Sequence, residues 1–262
     1  MTAPHRIQPA AVFSIPLTTC VYALCAALLG VSLLPPSLLA LAGLRALVLG
    51  PLRMGAAVPV GDVALYCLTL GGCVYAFFFC GLLVMGLSVR ALSLAVKPGR
   101  YAAFAPTTIA WMILNSVHTI AFRVILPLVP AGYFSTMYFR VAGCRMGKAV
   151  WLTTASLLDP YLITIGDGSV IGGDAILSAH LFADGELFLA PIRIGRDCQI
   201  GAHALVCPGV TVGDGATVGI RAYLRPGRRV PAGARVSSPP PRAGGESFRS
   251  APRAPAAHRI PR

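Results

Sequence analysis

Residues 165–180 read IGDGSV-IGGDAI-LSAH, and residues 194–236 read IGRDCQ-IGAHAL-VCPGVT-VGDGAT-VGIRAY-LRPGRR-VPAGAR-V. Every block opens on an aliphatic residue: Ile165, Ile171, Leu177, Ile194, Ile200, Val206, Val212, Val218, Leu224, Val230 and Val236. The second place is Gly at 166, 172, 195, 201, 213 and 219. The fifth is small or apolar from Ser169 to Ala234, with Arg228 the exception. A six-residue period marks a parallel β-helix, in which short strands make a triangular coil and each first-position side chain points inward. Stacked coils then bury a continuous aliphatic ladder. The small fifth residue fits a crowded corner, and the second-position Gly is expected to serve the tight bends. Seven consecutive blocks from Ile194 keep phase, so the pattern decides the fold of the C-terminal half.

Phase is lost between Leu177 and Ile194, a gap of 17 residues. Residues 181–191 (LFADGELFLAP) are therefore expected to leave the β-helix as a loop, and loops beyond what a repeat needs tend to carry function. His180 stands at its mouth, with Asp184 and Glu186 inside it as substrate contacts or as partners of a His. His203, in IGAHAL, projects outward by register as a second residue of the same cleft. Upstream, MGKAVW and LTTASL (146–157) read as weaker opening coils.

The N-terminal half is chemically different. Of 262 residues, 56% are apolar and 12% charged, and Asp62 is the sole acidic residue before Asp159. Residues 14–34 carry no charge and span roughly 30 Å as a helix, enough to cross a bilayer. The run exceeds the ~7–15 residues of a signal peptide's apolar region, so it reads as a retained anchor. Pro35-Pro36 is expected to end that helix. A second uncharged run, 63–89, is followed by Arg90, Lys97 and Arg100. Residues 104–130 are apolar but contain Asn115, His118 and Arg123, and Ser116, Thr119 and Arg123 form a polar stripe at helical spacing. An amphipathic helix on the membrane surface is expected there rather than a third span, with His118 an interfacial polar residue.

Basic residues after the second span place that side, and with it the β-helix, in the cytoplasm of a multi-pass plasma or inner membrane protein. The net charge of +13 is nearly all Arg, without a nucleic-acid-binding motif, so lipid headgroups rather than nucleic acid are the expected anionic partner. The eight Cys form no CxxC and read as small apolar fillers in a reducing compartment. The resulting organisation is a polar leader (1–13), a transmembrane helical hairpin (14–100), an interfacial helix and linker (101–140), the β-helix (141–236), and a Pro/Arg-rich tail (237–262) too poor in large apolar residues to fold. The fold class is N-terminal transmembrane α-helices followed by a parallel β-helix and a disordered tail.

ITIGDGSVIGGDAILSAH, the interruption, and IRIGRDCQIGAHALVCPGVTVGDGATVG together resemble the hexapeptide-repeat acyltransferases of the sugar and xenobiotic type, whose β-helix is left-handed. The stretch from Tyr138 (YFRVAGCRMGKAVWL…LDPYLITIGDGSVIG…HLFADGELFLAPIRIG) is closer still to the membrane-anchored C-terminal module of poly-lysine-type nonribosomal peptide synthetases. The resemblance implies a homotrimer in which His180 is the catalytic base. It also implies coenzyme A in a groove between subunits, bringing Ala202, Ile220 and Arg225 near the acyl carrier. An acyl-coenzyme A or a carrier-bound thioester would be the co-substrate, with no tightly bound cofactor.

Imidazole suits proton removal from a hydroxyl or amine at neutral pH. Three other readings stand beside acyl transfer from coenzyme A. One is carrier-dependent amide-bond formation with a carrier protein or synthetase acting in trans. Another is a trimeric membrane scaffold without catalysis. The third, a three-His metal site on the same fold, is disfavoured because the repeat holds only His180 and His203, and no metal is expected.

Overall fold

The computed structural model describes residues 10–55, 57–128, 132–153 and 156–237. Most of the leader and nearly all of the tail lie outside the described residues. Helix α1 (Ala10–Gly43) continues through a π-helical stretch, Leu44–Leu49, into the single turn α2 (Gly50–Arg53). It pairs with α3 (Val60–Leu92), then α4 (Pro106–Ile120) and α5 (Tyr133–Val141) follow. Helix α1 runs straight through Pro35-Pro36, contrary to the expected break. The two prolines remove only the N–H groups that would bond one turn back. Close by, Ser32 Oγ donates to Leu28 O at 2.8 Å, and apolar surroundings favour retaining the other helical bonds.

Three helical stretches, Ala23–Arg53, Val60–Ala95 and Pro106–Leu128, are long and apolar enough to cross a membrane. The last differs from the other two. Its Thr108, Trp111, Leu114, Val117 and His118 are buried on one face. His118 is not the interfacial residue expected from sequence. It is 1% exposed, with Nε2–H donating to Leu157 O at 2.9 Å, which leaves Nδ1 to accept from the Tyr138 hydroxyl at 2.8 Å. With both nitrogens occupied, this ring acts as a latch between helices and β-helix.

The repeat folds as the period requires. Three parallel sheets enclose the core. One stacks the strands bearing Met146, Ile165, Ile194, Val212 and Val230. Another stacks Leu152, Ile171, Ile200, Val218 and Val236. The third stacks Leu157, Leu177, Val206 and Leu224. The opening coil thus begins at Met146 as the weak repeats suggest, although its third rung is Leu157, five residues after Leu152.

Glycine's role divides by position. The bend is made at the fourth place of each block, where Gly168, Asp174, Asp197, His203, Gly209, Gly215, Arg221, Gly227 and Gly233 all have positive φ. The second-place Gly answers to close stacking instead. A Cβ on Gly201 would lie 2.5 Å from Ile220 N, and one on Gly166 would lie 2.6 Å from the Gly195 carbonyl carbon. That corrects the expectation that these glycines serve the bends.

The interruption is not a loop but a β-hairpin. Strands His180–Ala183 and Glu186–Leu189 pair antiparallel around Asp184-Gly185, both at positive φ, as a two-residue primed turn requires. A third strand, Gly99–Ala102, arriving from the end of α3, pairs with Glu186–Leu189. The sheet is held to α4 by Thr108 Oγ1 donating to Ala102 O at 2.8 Å.

Candidate active site

Each coil turns three corners. His180 leaves the corner that follows Leu177, and Asp159 sits at the equivalent corner one coil earlier, after Leu157. Asp159 takes a left-handed conformation (φ 62°) and caps the short 3-10 turn Pro160–Leu162, which sends its side chain inward. Its carboxylate is fully buried, and a buried charge requires partners. It has two. His180 Nδ1–H donates to Oδ2 at 2.5 Å, and Trp111 Nε1–H, from α4, donates to Oδ1 at 2.8 Å. The indole and imidazole rings also meet edge to face, with centroids 4.8 Å apart.

This arrangement fixes the tautomer of His180. With Nδ1–H given to the carboxylate, the lone pair lies on Nε2, which makes no hydrogen bond among the described residues. The side chain is 19% exposed, so Nε2 is within reach of a substrate. A buried carboxylate that orients an imidazole in this way is the chemistry a general base requires, since the counter-charge can stabilise an imidazolium during proton transfer. Nearby, the buried Tyr161 hydroxyl has no hydrogen-bond partner among the described residues. Burial, and then the Asp159 charge, push its pKa up, so it stays a neutral hydroxyl.

The other residues singled out from sequence are dispersed. Asp184 is exposed at the hairpin tip, and Glu186 is exposed and pairs with Arg100 at 3.8 Å. Neither carboxylate holds His180, because Asp159 does. Ala202, His203 and Ile220 share a different edge of the prism, where Arg221 N–H donates to Ala202 O and His203 N–H donates to Gly173 O, both at 2.9 Å. His203 is an exposed bend residue away from the corner that carries His180. Arg225 does lie on the His180 corner, two coils further on, roughly 10 Å along the axis at the usual strand spacing. Among the described residues, no three His, Cys, Asp or Glu side chains form a metal-sized cluster.

Sequence reading missed Asp159 and Trp111. The signal for Asp159 was the LDPYL segment between ladder residues Leu157 and Ile163, where an acidic residue precedes proline at a corner. Trp111 left no such trace, because it is 48 residues from its partner and on a different element.

Residues 191–225 match the bacterial transferase hexapeptide family (six repeats). A delta-poly-L-ornithine synthetase of Acinetobacter baumannii (strain AB307-0294) is 25% identical over 142 residues, 54% of this chain and 10% of that protein. The galactoside O-acetyltransferase of Escherichia coli (strain K12) is 37% identical over 71 residues, 24% of this chain and 35% of that protein. The chain thus spans about a third or less of the length of these two relatives. A hexapeptide-repeat acetyltransferase of Vibrio cholerae O1 biovar eltor, solved with acetyl coenzyme A, aligns with TM-score 0.42 and 17% identity, covering 57% of this chain and 93% of that one. Within the three-sheet prism, residues 191–225 are therefore similar to the bacterial transferase hexapeptide repeat.

Proposed function

We propose that this chain is a membrane-anchored acyltransferase that moves an acyl group from a thioester, acyl-coenzyme A, to a hydroxyl or amine, with His180 as general base. The observation that carries the reading is the His180–Asp159 pair, a fully buried carboxylate orienting an imidazole that is itself 19% exposed. In the reaction the acceptor's heteroatom attacks the thioester carbonyl while Nε2 takes its proton. The carbon–sulfur bond then breaks, and the imidazolium returns the proton to the departing thiolate. The names of the acetyltransferase relatives support acyl transfer as the reaction class. Arg225, on the same corner, is suited to a phosphate of the donor, and Ala202 and Ile220 to a donor seated between subunits of a trimer.

Helices α1 and α3 form the anchor, with basic residues placing the β-helix on the cytoplasmic side. Helix α4 is read as interfacial. Trp111 and His118 bond Asp159 and Leu157 of one β-helix corner, so about 10 Å of the helix axis lies against a polar domain. Its outer residues Ile109 and Met112 remain for lipid.

One observation favours a second reading. The match to the poly-ornithine synthetase extends over 142 residues, more than the repeat alone contains. Carrier-dependent amide formation would use the same base with a carrier-bound thioester. The test is thiol release and product mass with a panel of acyl-coenzyme A donors and with acylated carrier protein, using detergent-purified protein and its His180→Ala variant. His180-dependent release from a coenzyme A donor is expected. Release from the carrier alone would select the second reading, and release from neither would leave the scaffold.

A further inference from the structure

Trp111 belongs to the helical half, yet its side chain ends in the buried pair of the β-helix. We propose that Trp111 is a positioning residue for His180, acting through Asp159, so that the membrane-proximal helix α4 is a working part of the site. The inference rests on the acyltransferase reading above.

Three observations carry it. First, an ionised carboxylate has capacity for several donors, and Asp159 is fully buried. His180 Nδ1–H donates to one oxygen and Trp111 Nε1–H to the other, so the indole supplies half of the hydrogen bonding that this geometry gives the buried carboxylate. Second, the same indole borders the imidazole ring at 4.8 Å and 63°. His180 is therefore held at Nδ1 by the carboxylate and at its ring by the indole, which leaves one direction for Nε2. Third, Trp111 is itself fixed. Two turns along α4, His118 bonds Leu157 O and Tyr138, so the helix is latched at two points on one β-helix corner. A residue needed only to fill space there would be served by Leu or Phe. The indole N–H bonded to a buried carboxylate makes the tryptophan specific. Any displacement of α4 moves both supports of the base together, and misplacing a catalytic group by about 1 Å can cost on the order of 100-fold in rate.

The test uses the full chain in detergent or nanodiscs, with thiol release as the activity. Trp111→Phe keeps an aromatic ring and removes the donor. It is expected to lower kcat about 10- to 100-fold with KM for the donor nearly unchanged, alongside a modestly lowered thermal midpoint because a buried carboxylate loses one donor. In an Asp159→Asn background the same substitution should cost less than about 3-fold, because the path through the carboxylate is already cut. Multiplicative effects of the two changes, or wild-type kcat in Trp111→Phe, would overturn the proposal.

A second measurement does not depend on turnover or on that variant folding. The chain has two tryptophans, and Trp151 is 69% exposed on an outer face, so Trp151→Phe leaves Trp111 as the single indole. The 19F resonance of 5-fluorotryptophan at Trp111 should shift in both His180→Ala and Asp159→Asn. An unmoved resonance would overturn the contact. Absence of His180-dependent transfer in the wild type would overturn the acyltransferase reading and this inference with it. Transfer at the wild-type rate in Trp111→Phe would overturn this inference alone.

Discussion

Asp159→Asn separates orientation from packing. The amide fills the same space but offers His180 the wrong hydrogen-bond pattern, leaving Nδ1 to compete for the proton. A loss of about 100- to 10,000-fold in kcat is expected, by comparison with the effect of breaking the carboxylate contact in a Ser-His-Asp triad. Steady-state kinetics at fixed pH measure it, and an unchanged kcat would mean that the pair is structural. The cysteines make a second prediction at this scale. Cys144 Sγ donates to Ile163 O at 3.4 Å, and burial pushes its thiol up to about 12. Burial raises Cys198 and Cys207 as well. Alkylation at pH 8 should spare all three until the β-helix unfolds, as peptide mapping by mass spectrometry would show. His180 was legible in sequence because it borders the one break in a strict period. Asp159 was hidden because the corner before that break belongs to a coil whose own repeats are degenerate.

Among the elements, the β-helix ladder was fully legible, because a six-residue period leaves one arrangement that buries every aliphatic. The hairpin was not. Residues 181–189 show no long alternating run, and the strand that stabilises them, Gly99–Ala102, comes from a distant segment. The burial of His118 was equally unreadable, since its partners lie 20 and 39 residues away. Second-place glycines give the sharpest test of the stacking account. Gly201→Ala puts a Cβ against Ile220 N at 2.5 Å, and backbone cannot yield as a flexible side chain can. A loss of about 1–3 kcal/mol is expected, read as a lowered thermal midpoint. Gly61→Ala, with open space around it, serves as the control and should be nearly neutral.

At the scale of the molecule, helices and β-helix form a continuous core. Leu82, Met85 and Val89 of α3, Leu114 and Val117 of α4, and Tyr138 and Phe139 of α5 belong to the same buried cluster as Leu157, Ile163 and Ile165. The sequence divided into two halves by charge, and that division is real in composition but not in packing. A fragment restricted to residues 141–236 would expose the apolar end of the prism and is expected to aggregate, as light scattering would show. Topology is tested in intact cells. Met54, exposed in the turn between α1 and α3, should react as Met54→Cys with a membrane-impermeant thiol reagent. An Arg235→Cys label on the β-helix should appear only after the membrane is opened.

The central claim is that His180, oriented by Asp159, removes the acceptor's proton during acyl transfer. The most direct measurement is thiol release by His180→Gly, with and without added imidazole, because the vacated slot keeps Asp159 and Trp111 to hold a free ring. Loss of turnover by at least about 100-fold, with partial return on adding imidazole, is the predicted result. Wild-type turnover in His180→Gly without imidazole would contradict the account.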